Sequence, residues 1–280
     1  MSQTIRTPGP ERRVHPRKGM IDRLRNLLFG LLRWIGRYVK GFHAAVGTFL
    51  AMGMVVALLL LWGFAGLAEW VAEGRTQSFD DAVLLWLNER ATPWLTVAAL
   101  EVTALGAGLV VWMVVAVASA FLWVSRHRYS VALLWVAALG ATGLNSILKA
   151  LFDRPRPDLF PWRAPYAGQS SFPSGHAMTA MVVYLTLAYL VARLEPTPLL
   201  RRLTLASTAV VILLIGLSRM YLGVHFPTDV IAGYLAGFVW AVFCALGIEA
   251  VRYFRRRRPG VERVEEDLDA ERERELGVRA

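Results

Sequence analysis

AAVGTFLAMGMVVALLLLWGFAGL, residues 44–67, runs without a single ionisable side chain. At 1.5 Å of rise per residue, a helix of this length crosses a hydrocarbon layer of about 30 Å. Similar stretches follow along the chain. We place six spans at Ala44–Leu67, Thr103–Val124, Ser130–Leu148, Gly175–Val191, Leu203–Leu217 and Val230–Ile248. The expected fold class is all-α: a polytopic membrane helix bundle with six transmembrane helices, plus an N-terminal amphipathic interfacial helix.

Composition points the same way. Of 280 residues, 56% are hydrophobic and only 19% are charged, and the charge gathers mainly at the two ends. The mean hydropathy is +0.44. A soluble domain of this size would bury its apolar residues in one core and cover the remainder with charge. The formal net charge of +10 does not indicate nucleic acid, because no basic groove with interleaved aromatics exists outside the tails. The single cysteine, Cys244, lies in an apolar stretch and supports neither a disulfide framework nor a thiolate metal site. No cleavable leader is expected, since the first apolar run begins near Ala44 and is long enough to span.

Three regions follow: 1–42, a basic cytoplasmic tail and interfacial helix; 43–250, the six-span domain; and 251–280, a charged cytoplasmic tail. From Met20 to Lys40, Ile21, Leu24, Leu28, Leu31 and Ile35 recur at helical spacing among Arg23, Arg33, Arg37 and Lys40. This pattern predicts a helix lying on anionic lipid or, equally, one packed on the protein's own inner face. Phe79 to Arg90 predicts a short interfacial helix with Asp80 and Asp81 capping it, ended before Pro93-Trp94. Basic residues flank alternate loops: ten before the first span, Arg126 and Arg128, then Arg193, Arg201 and Arg202, then Arg252 and Arg255 to Arg258. With six spans, all of these fall on one side, which the positive-inside rule makes cytoplasmic. A plasma-membrane protein with both termini inside is expected.

The remaining ionisable residues break that pattern. Lys149 closes the third span, His176 opens the fourth, Arg219 ends the fifth, and His225 and Asp229 enter the sixth. Topology puts all of them at the extracytoplasmic end, while the central parts of the spans carry no such residue. Cations and imidazoles converging at one depth repel each other and lose solvation, a cost that a bound anion offsets. Lys149, Arg156 and Arg219 suit phosphoryl transfer, in which catalysis is mainly positioning and electrostatic stabilisation. Ser174 is expected as the N-cap of a helix whose exposed N–H groups seat an anion, and Gly175 lets that backbone approach it closely. His225 and Asp229 are four apart, with Pro227 suited to a first helical turn. One turn brings the carboxylate to one ring nitrogen of His225 and leaves the other to attack phosphorus. His176 is then the acid for the leaving oxygen and the base for water.

Three motifs stand in order: Lys149 through Arg156-Pro157 (KALFDRPRP), Pro173 to His176 (PSGH), and Ser218-Arg219 through His225 to Asp229 (SRMYLGVHFPTD). On these, the chain resembles the type-2 phosphatidic acid phosphatase and vanadium haloperoxidase superfamily, from about Phe79 to Glu249. The resemblance implies a phosphohistidine on His225 assisted by Asp229, and His176 as leaving-group acid. It implies a phosphate held by Lys149, Arg156, Ser174, Gly175 and Arg219. It also implies chemistry without a metal or other cofactor, in keeping with the lack of metal-ligand spacing here. Arg154-Pro155 duplicates the Arg-Pro pair, but Arg156 has the family spacing from Lys149, which leaves Arg154 as a loop or headgroup contact.

Other readings differ in what they require. His15, His43 and His127 are expected as polar anchors, and Glu101 as a solvated or locally paired group. Trp94, Trp162, Tyr166 and Phe172 suit either a lipid entrance or interfacial aromatic belts. The expected function is hydrolysis of a lipid phosphate or pyrophosphate, with undecaprenyl pyrophosphate, phosphatidylglycerol phosphate and phosphatidic acid as candidates. A lipid phosphotransferase would use the same site. A vanadate haloperoxidase is disfavoured by the six spans, and a non-enzymatic lipid transporter by the apolar midplane.

Overall fold

The computed structural model describes residues 42–165 and 168–256, and only the helical backbone of 42–50 and 250–256. The chain divides into two compact units, residues 1–52 and 53–280. Of the first unit, only helix from Phe42 onward is described. The amphipathic helix expected at Met20–Lys40 and most of both charged tails lie outside the described residues, as do His15 and Tyr166. Apart from the start of the first helix, everything below concerns the second unit.

Eight helices form among the described residues, with no strand: α1 Phe42–Ala72, α2 Gln77–Glu89, α3 Pro93–Ala104, α4 Gly108–Val124, α5 Arg128–Phe152, α6 Gly175–Ala192, α7 Pro198–Tyr221 and α8 Pro227–Arg256. Five segments are long and apolar enough to cross a membrane: Ala51–Ala72 of α1, α5, α6, α7, and Pro227–Glu249 of α8. The pair α3 and α4 makes a sixth if counted as one bent span. Large side chains such as Trp62, Leu109 and Val124 stand exposed on this bundle, as hydrocarbon-facing residues do.

The expected second span, Thr103–Val124, is the main departure. The helical ladder gives way at Leu105–Ala107, where three successive N–H groups donate to the carbonyls of Val102, Thr103 and Ala104. The axis turns by 46° across this break. Helix α3 also begins ten residues earlier than expected, because Thr92 accepts the N–H of Leu95 and Pro93 takes the first helical position. Thr197 and Pro198 set the start of α7 in the same way, ahead of the expected Leu203.

Helix α6 is central, packed against α5, α7 and α8. Its seam with α8 needs glycine. A Cβ at Gly233 would lie 2.7 Å from the Ser174 carbonyl oxygen, and one at Gly237 would lie 2.7 Å from that of Met178. Small residues one helical turn apart let two membrane helices approach at backbone distance. Val111, Val115, Leu134, Ala138, Val182 and Val183 form one core cluster around this centre. Phe172 is fully buried against Phe64 and Phe152, so it belongs to the core rather than to a lipid entrance or an aromatic belt.

Because the opposing atoms are backbone, Gly233→Ala cannot be relieved by a side-chain rotation. It is expected to destabilise by about 1–3 kcal/mol, the range of overpacking a filled interior. Thermal unfolding in detergent checks this. A melting temperature unchanged from wild type would show that the seam has slack.

Candidate functional site

His225 lies in the short link between α7 and α8. Gly223 turns this link with φ of +77°, and a Cβ there would come within 2.6 Å of the Phe160 ring. The link closes on α7 through Val224 N–H to Arg219 O and on α8 through Asp229 N–H to Phe226 O. One turn into α8, Asp229 Oδ2 accepts the Phe226 N–H at 2.9 Å and stands 3.5 Å from His225 Nδ1. That is longer than a well-formed hydrogen bond, so the carboxylate acts on the ring chiefly by its charge. The other ring nitrogen, Nε2, is 3.1 Å from Arg156 Nη1.

The start of α6 joins the same centre. Ser174 occupies its N-cap position with extended backbone, and its N–H donates to the Asp229 carbonyl at 2.9 Å. The expected side-chain cap is absent: Ser174 Oγ is buried with no hydrogen-bond partner among the described residues. Gly175 packs closely on Asn145, where a Cβ would lie 3.0 Å from Nδ2. The ring of His176 lies against Gly106, at the bend between α3 and α4. That bend makes room for the imidazole.

The cations converge from three directions. Lys149, in the last turn of α5, donates to Ser170 O at 2.6 Å. Arg156 donates through Nε to Gly168 O and through Nη1 to Val224 O, each at 2.6 Å. Arg219, in the last turn of α7, donates through Nη1 to Thr103 Oγ1 at 3.0 Å, while its buried Nε has no hydrogen-bond partner among the described residues. A cavity of about 410 Å³ is lined by Lys149, Arg156, Gly175, His176, Arg219 and His225. Ser174 and Asp229 adjoin this set through the contacts just given. The residues singled out in the sequence therefore meet in one place.

Four others, two lining the cavity and two packed beneath it, are ones that sequence reasoning missed or misplaced. Thr103 and Asn145 also line the cavity. The i, i+4 spacing of Asn145 and Lys149 on one helix was the available signal. Arg154, expected as a loop or headgroup contact, is 9% exposed and ion-paired to both Asp80 and Asp229. Asp80, expected to cap its helix, is fully buried, and Thr76 takes the N-cap position instead. Glu101 is exposed, as expected of a solvated group.

Burial is the main influence on His225 and holds its imidazole well below the usual 6.5, at about 4. The Asp229 carboxylate works against this, and the charges of Arg156 and Arg219 add to it. The ring is therefore neutral near pH 7, the form in which a nitrogen lone pair is available to attack. As pH falls from 6.5 towards 4, the unfolded chain takes up a proton that the folded site refuses, so this group subtracts stability on the acid side.

A family model for the PAP2 superfamily matches residues 129–253. The chain is 32% identical over 197 residues to phosphatidylglycerophosphatase B of Bacillus subtilis (strain 168), covering 69% of the chain and 95% of that relative. Over 112 residues it is 32% identical to a lipid A 1-phosphatase of Rhizobium johnstonii, covering 37% of the chain and 41% of that relative. The crystal structure of a transmembrane PAP2 type phosphatidylglycerolphosphate phosphatase from Bacillus subtilis superposes with a TM-score of 0.66. The identity there is 29%, over 70% of this chain and 96% of the other.

In detergent-solubilised protein with labelled histidine, the His225 ring signal is expected to stay in its neutral position down to about pH 5. A midpoint at or above 6.5 would contradict the burial described here.

Proposed function

The chain belongs to the PAP2 superfamily, and on that premise we propose that this membrane lipid phosphatase cleaves a lipid phosphomonoester or pyrophosphate through a phosphohistidine on His225. One observation carries the mechanism. Arg156 has only N–H groups to offer, so the ring nitrogen facing it, Nε2, is an acceptor, and the ring proton sits on Nδ1 towards Asp229. That tautomer leaves the lone pair on Nε2, at the cavity wall and shared with a guanidinium N–H; phosphate oxygens that draw the guanidinium to themselves free it to attack.

The chemistry then proceeds in two balanced steps. Nε2 of His225 attacks phosphorus as the bond to the leaving oxygen breaks, and protonated His176 gives that oxygen its proton. Water next attacks phosphorus and loses a proton to His176, and the bond from Nε2 to phosphorus breaks, releasing phosphate. Asp229 stabilises the positive ring of the intermediate. Lys149, Arg156 and Arg219 hold the non-bridging oxygens, joined by the N–H groups at the start of α6 and Ser174 Oγ. Three basic side chains supply the charge stabilisation that a divalent ion would otherwise give, and we propose that turnover needs no metal.

Basic flanks on alternate loops support a plasma-membrane orientation with both termini cytoplasmic and this site extracytoplasmic. Undecaprenyl pyrophosphate, phosphatidylglycerol phosphate and phosphatidic acid are the candidate substrates. The name of the Bacillus subtilis relative puts phosphatidylglycerol phosphate first among those to try. The N-terminal basic segment is proposed to meet anionic lipid.

Purified protein offered this lipid panel with EDTA present is expected to release inorganic phosphate, and His225→Ala to lose nearly all of that release. Wild-type turnover in His225→Ala would remove the nucleophile, and transfer of label to a lipid acceptor would indicate phosphotransfer. Arg219→Ala is expected to lower turnover at least ~100-fold, the scale of losing a transition-state donor. A change under threefold would remove Arg219 from the site.

A further inference from the structure

Beneath the candidate site lies a buried ionic network whose outer members, Asp80 and Arg154, have no role in the steps above. Asp80 projects from α2, an amphipathic helix outside the spans. Its Oδ1 accepts the Thr228 N–H at 3.0 Å. Its Oδ2 accepts from Thr228 Oγ1 at 2.7 Å, Arg154 Nη2 at 2.8 Å and Thr76 Oγ1 at 3.2 Å. Arg154 follows the C-cap of α5. Its Nη1 donates to Asp229 Oδ1 at 2.7 Å and to Thr228 Oγ1 at 2.9 Å, and its Nη2 also reaches Gln77 Oε1 at 3.3 Å. The guanidinium carbon lies 4.2 Å over the Phe226 ring.

This arrangement settles how Asp229 is held. Arg154 occupies Oδ1, the Phe226 N–H occupies one side of Oδ2, and Oδ2 turns towards His225. The charges alternate from α2 inward: carboxylate, guanidinium, carboxylate, imidazole. That order has a consequence for the reaction. When Nε2 bonds phosphorus the ring gains positive charge, which Asp229 stabilises. A guanidinium bound to Asp229 alone would draw off much of that stabilisation. Asp80 shares the guanidinium and so restores it.

We propose that Asp80 and Arg154 are positioning residues for the reaction: through their shared buried ion pair they fix the Asp229 carboxylate against His225 and preserve its charge for the phosphorylated ring. The proposal rests on His225 being the nucleophile. Neither residue lines the cavity, in contrast to Arg156, two positions from Arg154. Their effect therefore falls on the covalent steps and leaves phosphate binding alone.

The test uses full-length protein in detergent, with kcat and KM on a lipid phosphate and the inhibition constant of inorganic phosphate. Asp80→Asn keeps the shape of the side chain and removes its charge. Arg154→Lys keeps the charge but cannot fork between two carboxylates. Each is expected to lower kcat at least tenfold, with KM and the phosphate inhibition constant within threefold of wild type. An inhibition constant does not depend on the fraction of protein that is folded, so a merely structural loss would not give a correctly sized site with slow turnover in the folded peak of a size-exclusion run. Retention of kcat within threefold in both variants would overturn the proposal, as would a parallel tenfold loss of phosphate binding. Should neither variant fold, Thr228→Val removes only the hydroxyl between Asp80 and Arg154. A kcat loss of fivefold or more with unchanged phosphate inhibition supports the coupling, and a kcat within twofold of wild type overturns it. Failure of the functional reading itself looks different: wild type would release no phosphate, or His225→Ala would remain active.

Discussion

Charge is costly inside a hydrocarbon layer, and the bundle meets that constraint by placing the ionisable groups of this site at helix ends and in the links between helices. Lys149 and Arg219 stand in the last turns of α5 and α7, where helix carbonyls favour cations. Asp229 stands in the first turn of α8 and Gly175-His176 begin α6, where unpaired N–H groups favour anions. Two helices therefore enter the cavity by their C-termini and two leave it by their N-termini. Backbone dipoles and side-chain charges are matched at each end, and the tetrahedral anion proposed to bind among them would complete the balance.

The close approach of α6 and α8 makes this end coherent. Gly233 and Gly237 let α8 lie against the backbone of α6, and at the top of that seam the Ser174 N–H bonds to the Asp229 carbonyl. The start of the proposed anion seat and the residue proposed to support the nucleophile are thus one hydrogen bond apart. The bend after α3 has a related origin. A straight second span would have carried helix through Gly106, where His176 and Ile215 now pack. Tight turns there shift the axis and leave Thr103 facing Arg219.

Much of this was legible in the chain itself. Apolar runs of spanning length located the membrane helices but not their ends, since α7 begins at Pro198 ahead of the expected Leu203 and α8 runs on to Arg256 past the expected Ile248; the polar residues near those ends marked one cluster. What escaped had physical reasons. The bend at Leu105–Ala107 follows from packing against α6 and α7, which no local pattern reports. Asp80 has the spacing of a first-turn carboxylate, and its burial depends on Thr228 and Arg154, which lie far along the chain. Phe172 beside a proline at a helix start resembles an interfacial aromatic until Phe64 and Phe152 close over it. Long-range partners decided each of these cases.

The doubled Arg-Pro pair shows why motif spacing alone assigns only half of a function. Residues 154–158 run as irregular backbone after α5, and proline removes donors and fixes φ at 155 and 157. The segment is paired to residue 171 by Ser171 N–H to Arg154 O and by Ser171 Oγ to Pro155 O. In extended chain, residues two apart project to the same side. Both guanidiniums accordingly meet the 224–229 segment, but at opposite ends of it. Arg156 lies at His225 Nε2 and Val224 O, and Arg154 lies at Asp229 Oδ1. The histidine–aspartate pair is bracketed by two cations of different character, one open to the cavity and one sealed beneath it by Asp80. Spacing from Lys149 identifies the first of these. Only the buried carboxylate on α2 identifies the second, because it gives a guanidinium without access to the cavity a fixed geometry and a balanced charge.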